Sequence, residues 1–260
     1  MTQDDVPIRQ AATIMLLRDS DAGVQTYMLR RNRRTVFGPG MHVFPGGALD
    51  PQDSDPEILA RCDGLSPDMA RRILGGVEDG LALWVSALRE CFEEAGVLIA
   101  TDAEGRQPSI TAELRAARDA LNAGERSLLD ICRAFDLRLP VDRLCYYSHW
   151  ITPRGEPRRY STRFFACSVD AGQAATHDGS ETVAGEWVTP ARAVERNEAG
   201  EFPMMPPTLV QMRFLCAYDT VEQVMDEIRG MAKVPTVEGE KIEFDEQGNI
   251  ERVVMRSYFS

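Results

Sequence analysis

Three carboxylates, Glu90, Glu93 and Glu94, fall within five residues of one another in the stretch Arg89-Glu90-Cys91-Phe92-Glu93-Glu94-Ala95-Gly96-Val97. On a helix they stand at i, i+3 and i+4, so all three project from one face. Like charges at that spacing repel by roughly 0.2–0.5 kcal/mol per pair on an exposed helix. A divalent cation reverses the sign of that interaction, and hard ions such as Mg²⁺ or Mn²⁺ take oxygen ligands. Arg89 cannot lose its proton at working pH and is suited to orienting a glutamate through a charge-assisted hydrogen bond. The plainer reading of an acidic helix face is a solvated surface, so the surrounding residues must decide.

A second group of residues suits phosphate. Arg30, Arg31, Arg33 and Arg34 sit together in a chain of net charge −12. They make either a solubilising edge or a phosphate clamp, because guanidinium groups contact phosphate oxygens in bidentate fashion. Residues 37–47 follow, with four glycines and two prolines in eleven positions, ending in Phe44-Pro45-Gly46-Gly47. Such a loop lets backbone approach a ligand closely and can turn a carbonyl of Gly46 or Gly47 toward a metal. His42 within it reads as a structural hydrogen-bonding residue. Arg158 and Arg159, in a basic turn, either meet a second phosphate or are solvated.

Arg89-Glu90-x-x-Glu93-Glu94-x-Gly96-Val97 resembles the second half of the Nudix box, the signature of hydrolases that split a nucleoside diphosphate linked to another group. The first half differs. Counting back by the usual spacing reaches Gly75, and Leu81 stands where that family has a glutamate. Gly46 and Gly47 are the better loop glycines, which makes residues 48–76 an insertion between loop and helix. Arginines followed by Gly40-x-x-x-Phe44-Pro45-Gly46-Gly47 resemble the element that accompanies the box in coenzyme A diphosphatases, although Val36 occupies the position of one expected arginine. The insertion, residues 77–79 and 95–99, and His149-Trp150-Ile151-Thr152-Pro153 with its Arg-rich turn are similar to the peroxisomal, Nudix type 19-like branch.

The resemblance implies an α/β (α+β) fold, the Nudix α/β/α sandwich with a mixed central sheet plus helical insertions. It implies metal at Gly47, Glu90, Glu93 and Glu94 with Mg²⁺ or Mn²⁺ as cofactor. Arg89, Glu90, Glu93 and Glu181 become the catalytic set, Glu181 because a glutamate shortly before a strand tryptophan, here Trp187, often reaches the metal in that family. Arg30, Arg31, Arg33, Arg34, Gly46, Arg158 and Arg159 become the substrate-binding set. The implied activity is hydrolysis of coenzyme A or acyl-coenzyme A to (acyl-)phosphopantetheine and adenosine 3′,5′-bisphosphate. Two other readings stay open: a diphosphatase for a dinucleotide, ADP-ribose or nucleotide sugar, and a non-catalytic nucleotide-binding module.

These groups need a scaffold. Apolar residues Leu81, Trp84, Val85, Leu88 and Phe92 carry the helical period through residues 81–95. Gly96 suits a left-handed cap that turns the chain into a strand at 97–99. Residues 11–17 and 25–30 read as a hairpin of buried strands, and 144–151, 160–169 and 180–188 as further strands. Short helices are predicted at 56–62, 66–74, 191–197, 208–219 and 221–231. Two more, at 110–122 and 124–135, either cover the substrate or pack on the core. Residues 241–245 and 250–255, with 246–249 as the turn, form a hairpin that docks on its own domain or exchanges with a neighbour to give a homodimer. One domain spans 1–260, with insertions at about 48–76 and 102–140 and an extension at about 203–260.

Composition sets the class. Hydrophobic content of 43% over 260 residues supports one sizeable core. A pI near 4.8 argues against nucleic acid or anionic membrane as partner and leaves a small nucleoside diphosphate as the expected substrate. Six cysteines without a C-x-x-C pair read as reduced thiols. The first residues lack a secretory pattern and the last three are not a peroxisomal address, so a cytoplasmic location is expected.

Overall fold

The computed structural model describes residues 6–35, 38–244 and 250–259. The chain begins with β1 (Ile8–Ser20) and β2 (Gly23–Arg31), a hairpin closed by Gly23 at φ 92°. The glycine-rich segment forms two short strands, β3 (His42–Val43) and β4 (Gly46–Ala48). The first insertion holds a 3₁₀ turn at Pro51–Ser54, α1 (Pro56–Ala60), β5 (Cys62–Asp63) and α2 (Pro67–Ile73), and leads into α3 (Gly80–Ala95). A second helical pair follows, α4 (Ala112–Asn122) and α5 (Leu128–Ala134), then β6 (Leu139–Pro140), which pairs with β5. The rest comprises β7 (Cys145–Ile151), β8 (Arg159–Ser168), β9 (Thr182–Val188), α6 (Pro190–Glu198), α7 (Pro206–Leu215), α8 (Val221–Gly230), β10 (Pro235–Phe244) and β11 (Ile250–Phe259).

The main sheet is mixed. Its order is β11-β10-β7-β8-β1-β2-β3, with β4 added on β1 and β9 on β2. β1 runs parallel to β8 and β10 parallel to β7; the other pairs are antiparallel. β1 is buried on both faces over residues 14–17, which is why that stretch is continuously apolar rather than alternating. Ile14 and Leu16 point to the face covered by α3 and the insertion helices, where Trp84, Phe92, Leu114, Ile131 and Phe165 pack. Met15 and Leu17 point to the opposite face, with Phe164, Met212, Leu215, Val224 and Ile228. Helices thus cover both faces of the sheet, an α/β/α sandwich.

One irregularity positions the site. β1 pairs with β2 only near the hairpin end, from Leu17↔Thr26 to Ser20↔Gly23. Further back β2 diverges, and the glycine strand takes its place through Ala11↔Ala48, Ala12↔Gly47 and Thr13↔Gly46. Gly46 and Gly47 are required by proximity: a Cβ on Gly46 would lie 2.7 Å from Thr13 Cα, and one on Gly47 2.6 Å from Glu90 Cδ.

Three expectations change. The glycine segment contributes strands as well as turns. Residues 97–100 are buried but lie outside any strand; their apolar character serves packing beneath α4 and α5 rather than a ladder. The tail hairpin docks on its own sheet, β10 joining β7 through Thr236↔His149 to Glu238↔Ile151. It starts at Pro235, earlier than apolar patterning suggests, and the expected turn at 246–249 lies outside the described residues.

Candidate active site

Helix α3 presents the carboxylates. Its apolar stripe, Leu81, Trp84, Val85, Leu88 and Phe92, is buried against the sheet, and Trp84 Nε1 donates to the Leu144 carbonyl at 3.2 Å. Gly96 ends it with φ 65°, its N–H donating to Phe92 O at 3.0 Å. The stripe fixes the helix rotation, and that rotation brings Glu90 and Glu94 under β4. The Gly46 N–H donates to Glu94 Oε2 at 2.9 Å, and Gly47 lies against Glu90.

Arg89 organises the acidic face from below. It donates to Glu90 Oε1 at 2.9 Å, to Glu93 Oε2 at 2.7 Å and to the Ala48 carbonyl at 3.1 Å. It also donates to Asp53, at 2.8 Å from Nε to Oδ1 and 3.0 Å from Nη2 to Oδ2, and to Ser86 Oγ at 3.3 Å. Asp53 is 2% exposed and comes from the first insertion, within the capping box of the 3₁₀ turn. It gives Arg89 a buried acidic partner from outside α3. Sequence reading missed it, since Asp50-x-x-Asp53 signals only a capping box.

The electrostatics follow from burial. Burial pushes the Glu90 carboxyl up, against the pull of Arg89 and with the help of Glu93. Glu93 is raised for the same first reason. Burial and the neighbouring Glu90 hold Glu94 well above the usual carboxylate range, with Glu181 adding to the rise and the Gly46 N–H and Arg31 opposing it. For Arg89, burial disfavours the charged form, but Asp53, Glu90 and Glu93 outweigh it and raise its pKa.

A cavity of about 880 Å³ opens where β2 leaves β1. Arg89, Glu90, Glu93, Glu94 and Glu181 line it, together with Gly46, Gly47, Arg31, Arg34 and Arg158. Arg31 Nε is buried without a hydrogen-bond partner among the described residues. Phe44, Trp150, Ile151, Pro153, Phe164 and Met205 supply apolar wall. The remaining predicted arginines lie elsewhere. Arg30 sits opposite His42 and Ala184 on β2, where its charge acts on His42. Arg33 is exposed against Gly40. Arg159 is buried and donates Nε to the carbonyls of Thr152 and Pro153 at 3.2 and 3.0 Å, which makes it a brace for the β7–β8 turn. His42 stacks on Phe202 at 3.5 Å between centroids, and burial lowers its pKa to about 4.

Glu181 is held by its own turn. Asp178 accepts from the N–H groups of Ser180, Glu181 and Thr182 and from the hydroxyls of Ser180 and Thr182. The Asn32 N–H donates to the Glu181 carbonyl at 2.8 Å, tying this turn to the end of β2. Asp178-Gly179-Ser180 carries a turn signal in sequence, but nothing there shows what the turn aims.

The donor set suits a hard divalent cation: three carboxylates on one helix face, all oxygen. Arg89 and the Gly46 N–H take Glu90 Oε1, Glu93 Oε2 and Glu94 Oε2, which leaves the second oxygen of each carboxylate outside these bonds. Among the described residues, no three His, Cys, Asp or Glu side chains already form a metal cluster. The chemistry fits a hard divalent cation, with Glu90, Glu93 and Glu94 as the residues that would hold it. No helix among the described residues is long and apolar enough to cross a membrane.

Comparison with known proteins agrees with this geometry. A family model described as the NUDT19 Nudix domain matches residues 69–215, which starts after the glycine segment. The chain is 28% identical over 236 residues to a Homo sapiens protein named acyl-coenzyme A diphosphatase NUDT19, covering 78% of this chain and 63% of that protein. A Gallus gallus protein of the same name is 30% identical over 235 residues, covering 75% and 62%. The chain therefore spans just under two thirds of these relatives' length. The crystal structure of a NUDIX hydrolase from Alicyclobacillus acidocaldarius superposes with a TM-score of 0.75 at 31% identity, covering 85% of this chain and 97% of that one. Since that family model takes in more than half of the 260 residues, the chain belongs to the NUDT19 Nudix domain family.

Proposed function

We propose that this protein is a pyrophosphohydrolase that uses Mg²⁺ or Mn²⁺ to cleave the diphosphate linkage of coenzyme A and its acyl thioesters, releasing (acyl-)phosphopantetheine and adenosine 3′,5′-bisphosphate. One observation carries the reading: a single cavity joins the carboxylate face of α3, three arginines and an apolar wall. Two relatives named acyl-coenzyme A diphosphatase support the choice of substrate. Water adds across the P–O–P bond; the attacked phosphorus gains the hydroxyl and the leaving phosphate keeps the bridging oxygen. Arg31, Arg34 and Arg158 bind phosphate oxygens by charge-assisted hydrogen bonds. Glu90, Glu93 and Glu94 would hold the cation, and one carboxylate of this set or Glu181 accepts the proton of the attacking water. A bound divalent ion supplies charge neutralisation at phosphate and lowers the pKa of water. Trp150, Ile151 and Met205 shelter the apolar arm of the substrate.

The test is hydrolysis of coenzyme A, acetyl-coenzyme A, a long-chain acyl-coenzyme A, NADH and ADP-ribose with each metal, beside Glu93→Gln and Glu94→Gln. The expected result is cleavage of the coenzyme A compounds, lost in both variants. Activity confined to NADH or ADP-ribose would keep the hydrolase and discard the substrate. No turnover by folded protein would discard the hydrolase.

A further inference from the structure

The second insertion contributes a side chain that touches neither the carboxylates nor the cavity, yet joins the two segments that carry them. Arg118, on α4, donates from Nε and Nη2 to the Glu93 carbonyl at 3.0 and 2.8 Å. The same guanidinium donates from Nη2 to the Thr176 carbonyl at 2.7 Å and from Nη1 to Thr176 Oγ1 at 3.0 Å. Its first acceptor lies in the last turn of α3, on the residue that supplies one of the carboxylates. Its second lies two residues before Asp178, whose carboxylate builds the turn that ends in Glu181. The two segments also meet directly through one backbone bond, Thr176 N–H to Ala95 O at 2.8 Å.

The surroundings are shaped around this contact. A Cβ on Gly96 would lie 2.8 Å from both Arg118 Nη1 and Thr176 Oγ1, so the glycine makes room for the guanidinium as well as capping the helix. Leu114, Ala117 and Leu121 are buried in the core that holds α3, which fixes the face of α4 from which Arg118 extends. Late carbonyls of a helix lack intrahelical donors and carry partial negative charge, so a cation there is favoured. A planar fork reaching acceptors on two segments is a task for arginine; a lysine ammonium is a single point of charge on a flexible stem.

We propose that Arg118 is a positioning residue that sets the register of the Glu181 turn against the carboxylate helix, beside Asn122 of the same helix, whose Nδ2 also donates to the Glu93 carbonyl at 3.3 Å. Only the kinetic arm of its test rests on the hydrolase reading. A misplacement of about 1 Å in a catalytic group can cost about 100-fold in rate, so a register device of this kind shows in kcat rather than in substrate binding.

Hydrogen exchange and steady-state kinetics on the full chain test it. In Arg118→Ala, amide exchange at Thr176, Glu181 and Thr182 is expected to speed up while the first two turns of α3 keep wild-type protection. The kcat on coenzyme A falls about 10- to 100-fold with little change in KM. Arg118→Lys is expected to recover part of both, and Thr176→Val, which removes one acceptor, to show the same pattern more weakly. Wild-type exchange at 176–182 in folded Arg118→Ala overturns the proposal, as does faster exchange with kcat unchanged. If Arg118→Ala does not fold, Arg118→Lys and Thr176→Val decide by the same two readouts. If the wild-type protein turns over no substrate, the hydrolase reading fails separately and exchange alone judges the clamp.

Discussion

Arg89 is nearly enclosed and meets three carboxylates, and Asp53 gives it the only two-pronged contact of the three. Removing one partner of a buried ion pair strands the other charge, at a cost of about 3–5 kcal/mol. Asp53→Ala is therefore expected to lose about 3 kcal/mol in urea unfolding, and Asp53→Asn less, since its amide oxygen still accepts from Arg89. Both should lower turnover, because Glu90 and Glu93 share the guanidinium whose position Asp53 fixes. Gly47→Ala separates geometry from stability. The new methyl would collide with the Glu90 carboxylate at the cavity wall. The expected outcome is a large fall in kcat with a smaller change in melting temperature, read by parallel kinetics and thermal unfolding. The outcome that contradicts this account is a variant with wild-type turnover.

At the scale of elements, the Glu181 turn depends on Asp178. Burial opposes ionisation of this carboxyl, but the hydroxyls of Ser180 and Thr182 and the N–H groups of Glu181 and Thr182 outweigh it and hold the pKa at about 2. An unfolded aspartate titrates near ~3.9. The stabilisation is thus complete above that value and is lost as pH falls toward the folded one. The turn is partly solvated, so the effect amounts to about 1 kcal/mol. Denaturant unfolding of wild type and Asp178→Asn should show a gap that is constant at neutral pH and narrows as pH drops from about 5 toward 3. A gap independent of pH would show that the carboxylate charge is not what holds the turn. α3 illustrates the complementary case: its apolar stripe fixes its rotation, and its polar face is left to serve the cavity.

At the scale of the molecule, the site gives up stability to charge repulsion. Glu90 and Glu94 are both buried, and Glu90 adds to the burial that disfavours the charge of Glu94. Glu94→Gln should therefore melt higher than wild type in EDTA while losing the rise produced by Mg²⁺, the usual opposition between stability and function. For wild type, a metal concentration of about 100 times Kd adds about 2.7 kcal/mol, a shift of roughly 5–10 °C for a chain of this size. An equal Mg²⁺-dependent shift in both proteins would exclude Glu94 from the metal site. Much of this was legible in the chain itself. The period of Leu81, Trp84, Leu88 and Phe92 gives α3, the spacing of Glu90, Glu93 and Glu94 puts them on one face, and the unbroken apolar run of β1 marks a strand covered on both sides. These are local properties, fixed by 3.6- and 2-residue periods and by the chemistry of each side chain. Pairing across sequence distance is not local. Asp53 reaches Arg89 over 36 residues, Arg118 reaches Thr176 over 58, and the choice of Arg31 over Arg30 for the cavity depends on where β2 leaves β1. Adjacent arginines on a strand point to opposite faces, so only the tertiary pairing of β1 with β4 decided which of them could meet a phosphate.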